Sequence, residues 1–315
     1  MELPERPSQL GFRAWWGVLR RTVREYSDDN LSDWAAALTY YSVLSIFPGL
    51  LLLVSVLGLI GQSVTQPLID NLATIAPGAV RDILTQGARS LQDAQGSSGV
   101  LAIVALLGAF WSASGYIAAF MRASNAIYDV PEGRPLWKTL PLRLVLTLVV
   151  GALLGATAIA VVFTGRLAEW VGDLIGAGEW AVAAWDVVKW PVLVVLVGLM
   201  LALLYWAAPN ARPAGFRWIT PGGVVAVLIW IVASVGFALY VSNFESYNKT
   251  YGALGGVIVF FVWLYISNIA VLLGAEFDAE LHRGRAIVGG MPPDQEPFVE
   301  MRDAPKEEER QKGLT

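Results

Sequence analysis

An all-α, polytopic membrane protein is the fold class this sequence predicts: six spanning helices, both termini cytoplasmic, and amphipathic helices lying at the interface. Three observations carry the prediction. Long uncharged apolar runs recur along the 315 residues, 56% of which are hydrophobic and 15% charged, for a mean hydropathy of +0.55. Lys and Arg crowd every second gap between the runs. Several of the thirteen Trp, among them Trp34, Trp137, Trp190 and Trp218, stand near the ends of runs, where an indole favours the headgroup region.

Residues 1–32 read as a cytoplasmic interfacial helix. Phe12, Trp16, Leu19, Val23 and Tyr26 recur at helical spacing, with Arg13, Arg20, Arg21 and Arg24 between them. Such a helix either braces the first span or recognises lipid. No small-residue cleavage site follows, so the segment is expected to be retained. Asp28, Asp29 and Asp33 suit the start of the next helix, where carboxylates meet its positive end.

A spanning domain over 33–285 follows, with spans at about 34–60, 100–121, 144–164, 191–208, 221–241 and 253–275. Helices rather than barrel strands are required, because each backbone group must bond within its own segment and the runs exceed strand length. In the first span Pro48 removes a backbone donor and predicts a kink or break, just after the hydroxyls of Thr39, Tyr40, Tyr41, Ser42 and Ser45. Between the first two spans, 62–98 reads as two short amphipathic helices broken at Pro77-Gly78. Gly151 with Gly155, and Gly252 with Gly256, form G-x-x-x-G pairs read as packing contacts. The stretch 286–315 turns to Pro, Glu, Lys and Arg and is expected to be a disordered cytoplasmic tail. Basic residues before the first span and after the second, fourth and last outnumber those in the alternate gaps, which places both termini inside.

The chemistry-bearing residues fall into two groups. A candidate pathway comprises Tyr40, Tyr41, Ser45 and Pro48, Ser114 and Asn125 of the second span, and Asn243, Tyr247, Asn248, Tyr251 and Gly252 at the junction of the last two spans. Polar residues beside a broken spanning helix are one way to build a transport site, and the same pattern also fits a kinked helix and a capped turn in an inert bundle. Beyond the last span, Glu276 and Glu280 share a helix face and suit a cytoplasmic ion-pair cluster with Arg122 or Arg143, or a solvated helix end. No Asp, Glu, Lys or Arg falls deep within a span, which argues against a buried carboxylate relay or a charge-ringed pore.

An enzyme is not expected. His282 is the only His, there is no Cys, and no H-E-x-x-H, P-loop or G-x-S-x-G fingerprint occurs. No cofactor or metal is assigned, although a carboxylate-only site at Asp28, Asp29 and Asp33 stays open. Without Cys, disulfides are excluded.

The segment Ala35-Ala36-Ala37-Leu38-Thr39-Tyr40-Tyr41, continuing Ser42-Val43-Leu44-Ser45-Ile46-Phe47-Pro48, resembles the first-span signature of the YihY/BrkB family of bacterial inner-membrane proteins. Thr250-Tyr251-Gly252-Ala253-Leu254-Gly255-Gly256, Trp263-Leu264-Tyr265 and Leu273-Gly274-Ala275-Glu276 resemble its closing helix, and Ala208-Pro209-Asn210 with Gly215-Phe216 its fourth junction. The likeness extends from Leu10 to Arg285. It implies a multi-pass inner-membrane protein of a family whose members have been labelled virulence factors or ribonucleases, and some of which are suspected of moving envelope lipids. The nuclease label conflicts with the residue inventory. Segments 113–125 and 234–246 share small, aromatic and polar residues in similar order, as two halves of an inverted repeat do. The expectation is a transporter or flippase for lipid or another hydrophobic or neutral solute; the alternative is a non-transporting envelope scaffold. Its partners are then membrane lipids, with a second copy or an envelope protein beside them, and no nucleic acid.

Overall fold

The computed structural model describes residues 11–60, 99–162, 178–212, 220–242 and 253–305. Among them are seven α-helices and one isolated antiparallel bridge, Ala211 to Met301. In chain order these are α1 (Phe12–Asp28), α2 (Leu31–Ile60), α3 (Gly99–Ile127), α4 (Leu136–Val162), α5 (Gly178–Ala207), α6 (Pro221–Ser242) and α7 (Ala253–Val288). At least four of them, α4 to α7, contain stretches long and apolar enough to cross a bilayer. Many of their large apolar side chains, including Val145, Leu148, Val187, Leu228, Val232 and Leu239, are exposed, as lipid-facing residues are.

Three prolines lie inside helices. α4 and α5 begin well before their expected spans and carry Pro141 and Pro191 inside them. Likewise α2 stays helical through Pro48, so the expected break is not present. A proline costs one backbone bond in a helix whose other bonds hold, and its own φ is helical.

By contacts the chain divides into two compact units, one of residues 1–42, 116–143 and 201–315, the other of 43–115 and 144–200. The first contains α1, α6, α7 and the strongest packing. α1 presents two faces. Val18 is fully buried beside Phe277 and Leu281 of α7, with Ala14 and Trp15 packed around them and the Trp15 and Phe277 rings 6.1 Å apart. Burying Val18 contributes about 1.5–3 kcal/mol. The other face, Phe12, Trp16, Leu19 and Val23, is exposed.

The α1–α2 corner turns on Asn30, whose φ of 53° lies in the left-handed region that Asn tolerates. Its carbonyl accepts the first bonds of α2, from the N–H groups of Asp33 and Trp34. α7 ends in a Schellman motif: Met291 N–H donates to Ala286 O and Gly290 N–H to Ile287 O, with Gly290 at φ 102°.

α6 and α7 touch at two glycines outside the G-x-x-x-G pairs. A Cβ on Gly222 would lie 2.0 Å from Gly274 O, and one on Gly274 would lie 2.5 Å from Gly222 O. A Cβ on Gly151 or Gly256 would meet nothing within 4 Å, so neither makes the expected close approach. Gly252 lies outside the described residues.

The expected disordered tail is corrected for residues 291–305. This segment folds back and docks, and residues 306–315 lie outside the described residues. Composition misled because the docking rests on hydrogen bonds to main-chain atoms, with Phe298 as its one buried large apolar side chain.

Candidate functional site

The functional geometry of the first unit has four parts. Within the helices, an uncharged polar line joins three of them. Asn268 of α7 donates through Nδ2 to Thr39 Oγ1 of α2 at 3.2 Å and to Leu264 O at 3.0 Å, and its Oδ1 accepts from Tyr116 Oη of α3 at 3.1 Å. Asn268 and Thr39 are buried. Ser32 and Tyr265 pair through their hydroxyls at 2.9 Å, and Tyr205 Oη donates to Val271 O at 2.7 Å. The rings of Tyr116, Phe120 and Tyr205 stack in series, 6.5 and 6.3 Å apart.

At the end of α7 that packs on α1, charged groups are buried. Glu276 and Glu280 are each 1% exposed and Arg283 is 3% exposed. Glu280 accepts from Arg21 Nε of α1 and from Arg283 Nη1 at 3.4 Å. Arg283 also lies 3.6 Å from Glu25 and 3.0 Å from Glu296, and its guanidinium stands over the Phe298 ring at 5.3 Å. Asp29, at the α1–α2 corner, is pushed up to about 7 by burial and then by the nearby charges of Asp129, Glu25 and Asp28, with Glu276 opposing. Burial likewise raises Asp129 to about 6, with Glu296 adding and Arg283 opposing.

Asn210 builds the third part. It is fully buried, donates through Nδ2 to Pro131 O at 2.9 Å and Asp303 O at 2.8 Å, and accepts from Asp303 N–H at 3.2 Å. Its own N–H donates to Asn125 Oδ1 at 2.7 Å, and Asn125 Nδ2 donates to Glu132 at 3.0 Å. Arg134 braces the loop, donating to Glu132 at 2.7 Å and Ala208 O at 2.9 Å. Burial works to raise Glu132, yet the Arg134 guanidinium wins and holds it below its usual range. Around this hub the strap of residues 291–305 is tied by Arg302, which donates to Ala211 O at 2.7 Å and Trp206 O at 2.6 Å, and by the Lys138–Asp303 ion pair.

The fourth part is a groove of about 540 Å³ between α6 and α7. Ser234, Phe237, Ala238, Gly256, Phe260 and Trp263 line it, and within it Trp263 Nε1 donates to Ser234 Oγ at 3.3 Å.

The residues expected from sequence disperse among these parts. Tyr40 is exposed and edge-on to Tyr41, ring centres 5.4 Å apart. Ser45 Oγ donates to Ala113 O at 3.4 Å, in the second unit. Ser114 is fully buried and donates to Trp111 O. Asn125 is engaged at the Asn210 hub. Pro48 lies within α2, and Asn243, Tyr247, Asn248, Tyr251 and Gly252 lie outside the described residues. Glu276 and Glu280 do share a buried face, but the described ion pairs of Glu280 are with Arg21 and Arg283 rather than Arg122 or Arg143. Sequence reasoning placed Asn210 in a family-like junction but gave it no role, and did not single out Arg134 or Asn268 as site residues. For Asn210 the signal was its place after Ala208-Pro209, at a junction that must be closed.

The family described as Virulence factor BrkB matches residues 22–297. The protein named ribonuclease-like protein YfkH of Bacillus subtilis is 29% identical over 280 residues, 89% of this chain and 98% of that one. A UPF0761 membrane protein of Alkalilimnicola ehrlichii is 32% identical over 257 residues, covering 78% of this chain and 54% of its own length. Another, from Azoarcus sp., is 28% identical over 277 residues, 84% of this chain and 63% of its own length. The chain thus spans little more than half to under two thirds of these UPF0761 relatives. No solved structure matches it.

Proposed function

This chain belongs to the BrkB virulence-factor family of multi-pass proteins of the bacterial inner membrane, and from that premise we propose that it moves a lipid, or another hydrophobic or uncharged solute, across that membrane. The observation that carries the reading is the groove between α6 and α7. It is apolar, walled by aromatic rings and floored by small residues, and it lies on helices long enough to span hydrocarbon. Such a slot suits an acyl chain better than an ion. The polar line at Thr39, Asn268 and Tyr116 is uncharged, as a path for a neutral or headgroup-bearing solute requires. Six spans with both termini inside, and a path along Tyr40, Tyr41 and Ser45, complete the proposal; the Lys and Arg distribution supports the orientation.

The family is not a known catalytic one, and among the described residues no three His, Cys, Asp or Glu side chains are placed to hold a metal ion. The ribonuclease word in one relative's name therefore stays with that relative.

The test is reconstitution into liposomes carrying fluorescent phospholipid, scored by a membrane-impermeant quencher. Protein should accelerate label movement over empty liposomes, and Gly256→Leu, whose Cβ would meet nothing within 4 Å and whose side chain enters the groove, should slow it without unfolding the bundle. Movement no faster than in empty liposomes, across several lipids and with an imposed proton gradient, would sink the transport reading and favour the scaffold.

A further inference from the structure

Two of the four arginines of α1 carry charge that the fold does not use. Arg21 pairs with Glu280 of α7, and Arg24 lies 2.6 Å from Glu25 and 3.5 Å from Asp28 of its own helix. Arg13 and Arg20 are exposed and enter no described ion pair. They stand seven residues apart, two turns of helix or about 10 Å, on the same side of α1. Beside them runs the apolar stripe of Phe12, Trp16, Leu19 and Val23, whose members are 46% to 84% exposed. Val18 and Thr22, both buried, precede Leu19 and Val23 by one residue, while Arg13 and Arg20 follow Phe12 and Leu19 by one. At about 100° per residue the circumference of α1 therefore reads, in order, the face on α7, the apolar stripe and the arginine row. The level of the helix is fixed as well. The uncharged run of α7 ends at Ala275, and α1 packs on Phe277 and Leu281 immediately beyond it, where hydrocarbon gives way to headgroups. An apolar stripe flanked by cations at that level matches a leaflet whose acyl chains and phosphates lie side by side.

We propose that α1 is a docking site for anionic phospholipid: Phe12, Trp16, Leu19 and Val23 enter the acyl boundary of the adjoining leaflet, and Arg13 and Arg20 each engage a headgroup phosphate, while Val18 holds the other face on α7. The stripe alone accepts any lipid; the two arginines make it select negative charge. Docking does not rest on the lipid-moving reading, because α1 meets α7 at Phe277 and Leu281, away from the groove at Gly256 and Trp263.

The chain has no Cys, so Ser27→Cys gives a single attachment point for a nitroxide, on an exposed residue between the stripe and the arginine row. The labelled full chain is placed in nanodiscs of phosphatidylcholine alone or with about 30% phosphatidylglycerol, and docked and free populations are read from the label's accessibility to oxygen and to a water-soluble nickel chelate. Phosphatidylglycerol should shift the label toward oxygen. Arg13→Gln with Arg20→Gln should lower the docked-to-free ratio about 30-fold in the phosphatidylglycerol discs, roughly fivefold for each arginine, and change it little in phosphatidylcholine. Neither substitution breaks a described contact, so the fold should hold, and Arg13→Lys with Arg20→Lys should keep most of the docking. A label that stays open to nickel in both bilayers overturns the proposal and leaves the face to a protein partner. Equal docking in both bilayers, or docking in phosphatidylglycerol that survives the double Gln variant, overturns it too, since apolar insertion alone would then hold the helix.

Discussion

Replacing Asn210 by Ala tests how the strap of residues 291–305 is held. The side chain makes three hydrogen bonds, to Pro131 O at 2.9 Å, to Asp303 O at 2.8 Å and from Asp303 N–H at 3.2 Å. Each such bond contributes about 1 kcal/mol net, so the whole protein should lose about 3 kcal/mol. Two of the three bind the strap directly. Opening the strap alone should then become easier by about 2 kcal/mol, or roughly 30-fold in population. Limited proteolysis in detergent reads this, because cleavage tracks the open population when opening is fast relative to cutting. The cleavage rate within 291–305 should rise by about that factor, with cutting elsewhere much less affected. Asn210→Asp should behave at least as badly, since a carboxylate cannot donate to either carbonyl. A strap cleaved in Asn210→Ala within about twofold of the wild-type rate would refute the reasoning and give the hold to Arg302 and Lys138.

Three further outcomes are expected. Arg283→Ala leaves Glu280, Glu25 and Glu296 facing one another around a buried gap, and should cost about 3–5 kcal/mol in denaturant unfolding, with Arg283→Lys recovering only part. Gly274→Ala sets a methyl against Gly222 O and Ala226 Cβ at 2.5 and 2.6 Å; the helices must part, so Tm should fall by the equivalent of about 1–3 kcal/mol, whereas Gly151→Ala should leave Tm unmoved. Because the folded protein raises Asp29 to about 7, it binds that proton more tightly than the unfolded chain does. The associated stability is complete below the ordinary Asp range and is lost as pH rises through about 7, so Tm should decline over that interval in the wild type and decline less in Asp29→Asn.

How much was legible follows from which forces act on each part. The apolar runs that became α4 to α7 were readable because hydrocarbon selects composition along a whole segment, with no need of a partner. Their ends were not: Pro191 looks like a start until the preceding residues are seen to be helical too, and α4 begins before its expected span, with Pro141 inside it. The shared face of Glu276 and Glu280 follows from helical spacing alone. The pairing of Glu280 does not: Arg21 arrives only because α1 lies against α7, a contact decided by Val18, Phe277 and Leu281 far apart in sequence. The strap was hidden for a similar reason. Its docking uses Asn210, backbone carbonyls and two Arg–aromatic contacts, Arg283 over Phe298 and Arg302 over Trp206, none of which produces a periodic pattern. The glycines that matter, Gly222 and Gly274, sit on two different helices, and a motif search along one helix cannot pair them.

The 36 residues of α7 form one unbroken rod about 54 Å long, against a hydrocarbon layer of about 30 Å. Such a rod is a lever. Its groove half, around Gly256 and Trp263, and its charged half, around Glu276 and Arg283, cannot bend independently, so rocking by about 10° swings one extremity some 9 Å relative to the other. Any occupant that pries at one end is felt mechanically at the other, without a chain of intermediate side chains to carry the message.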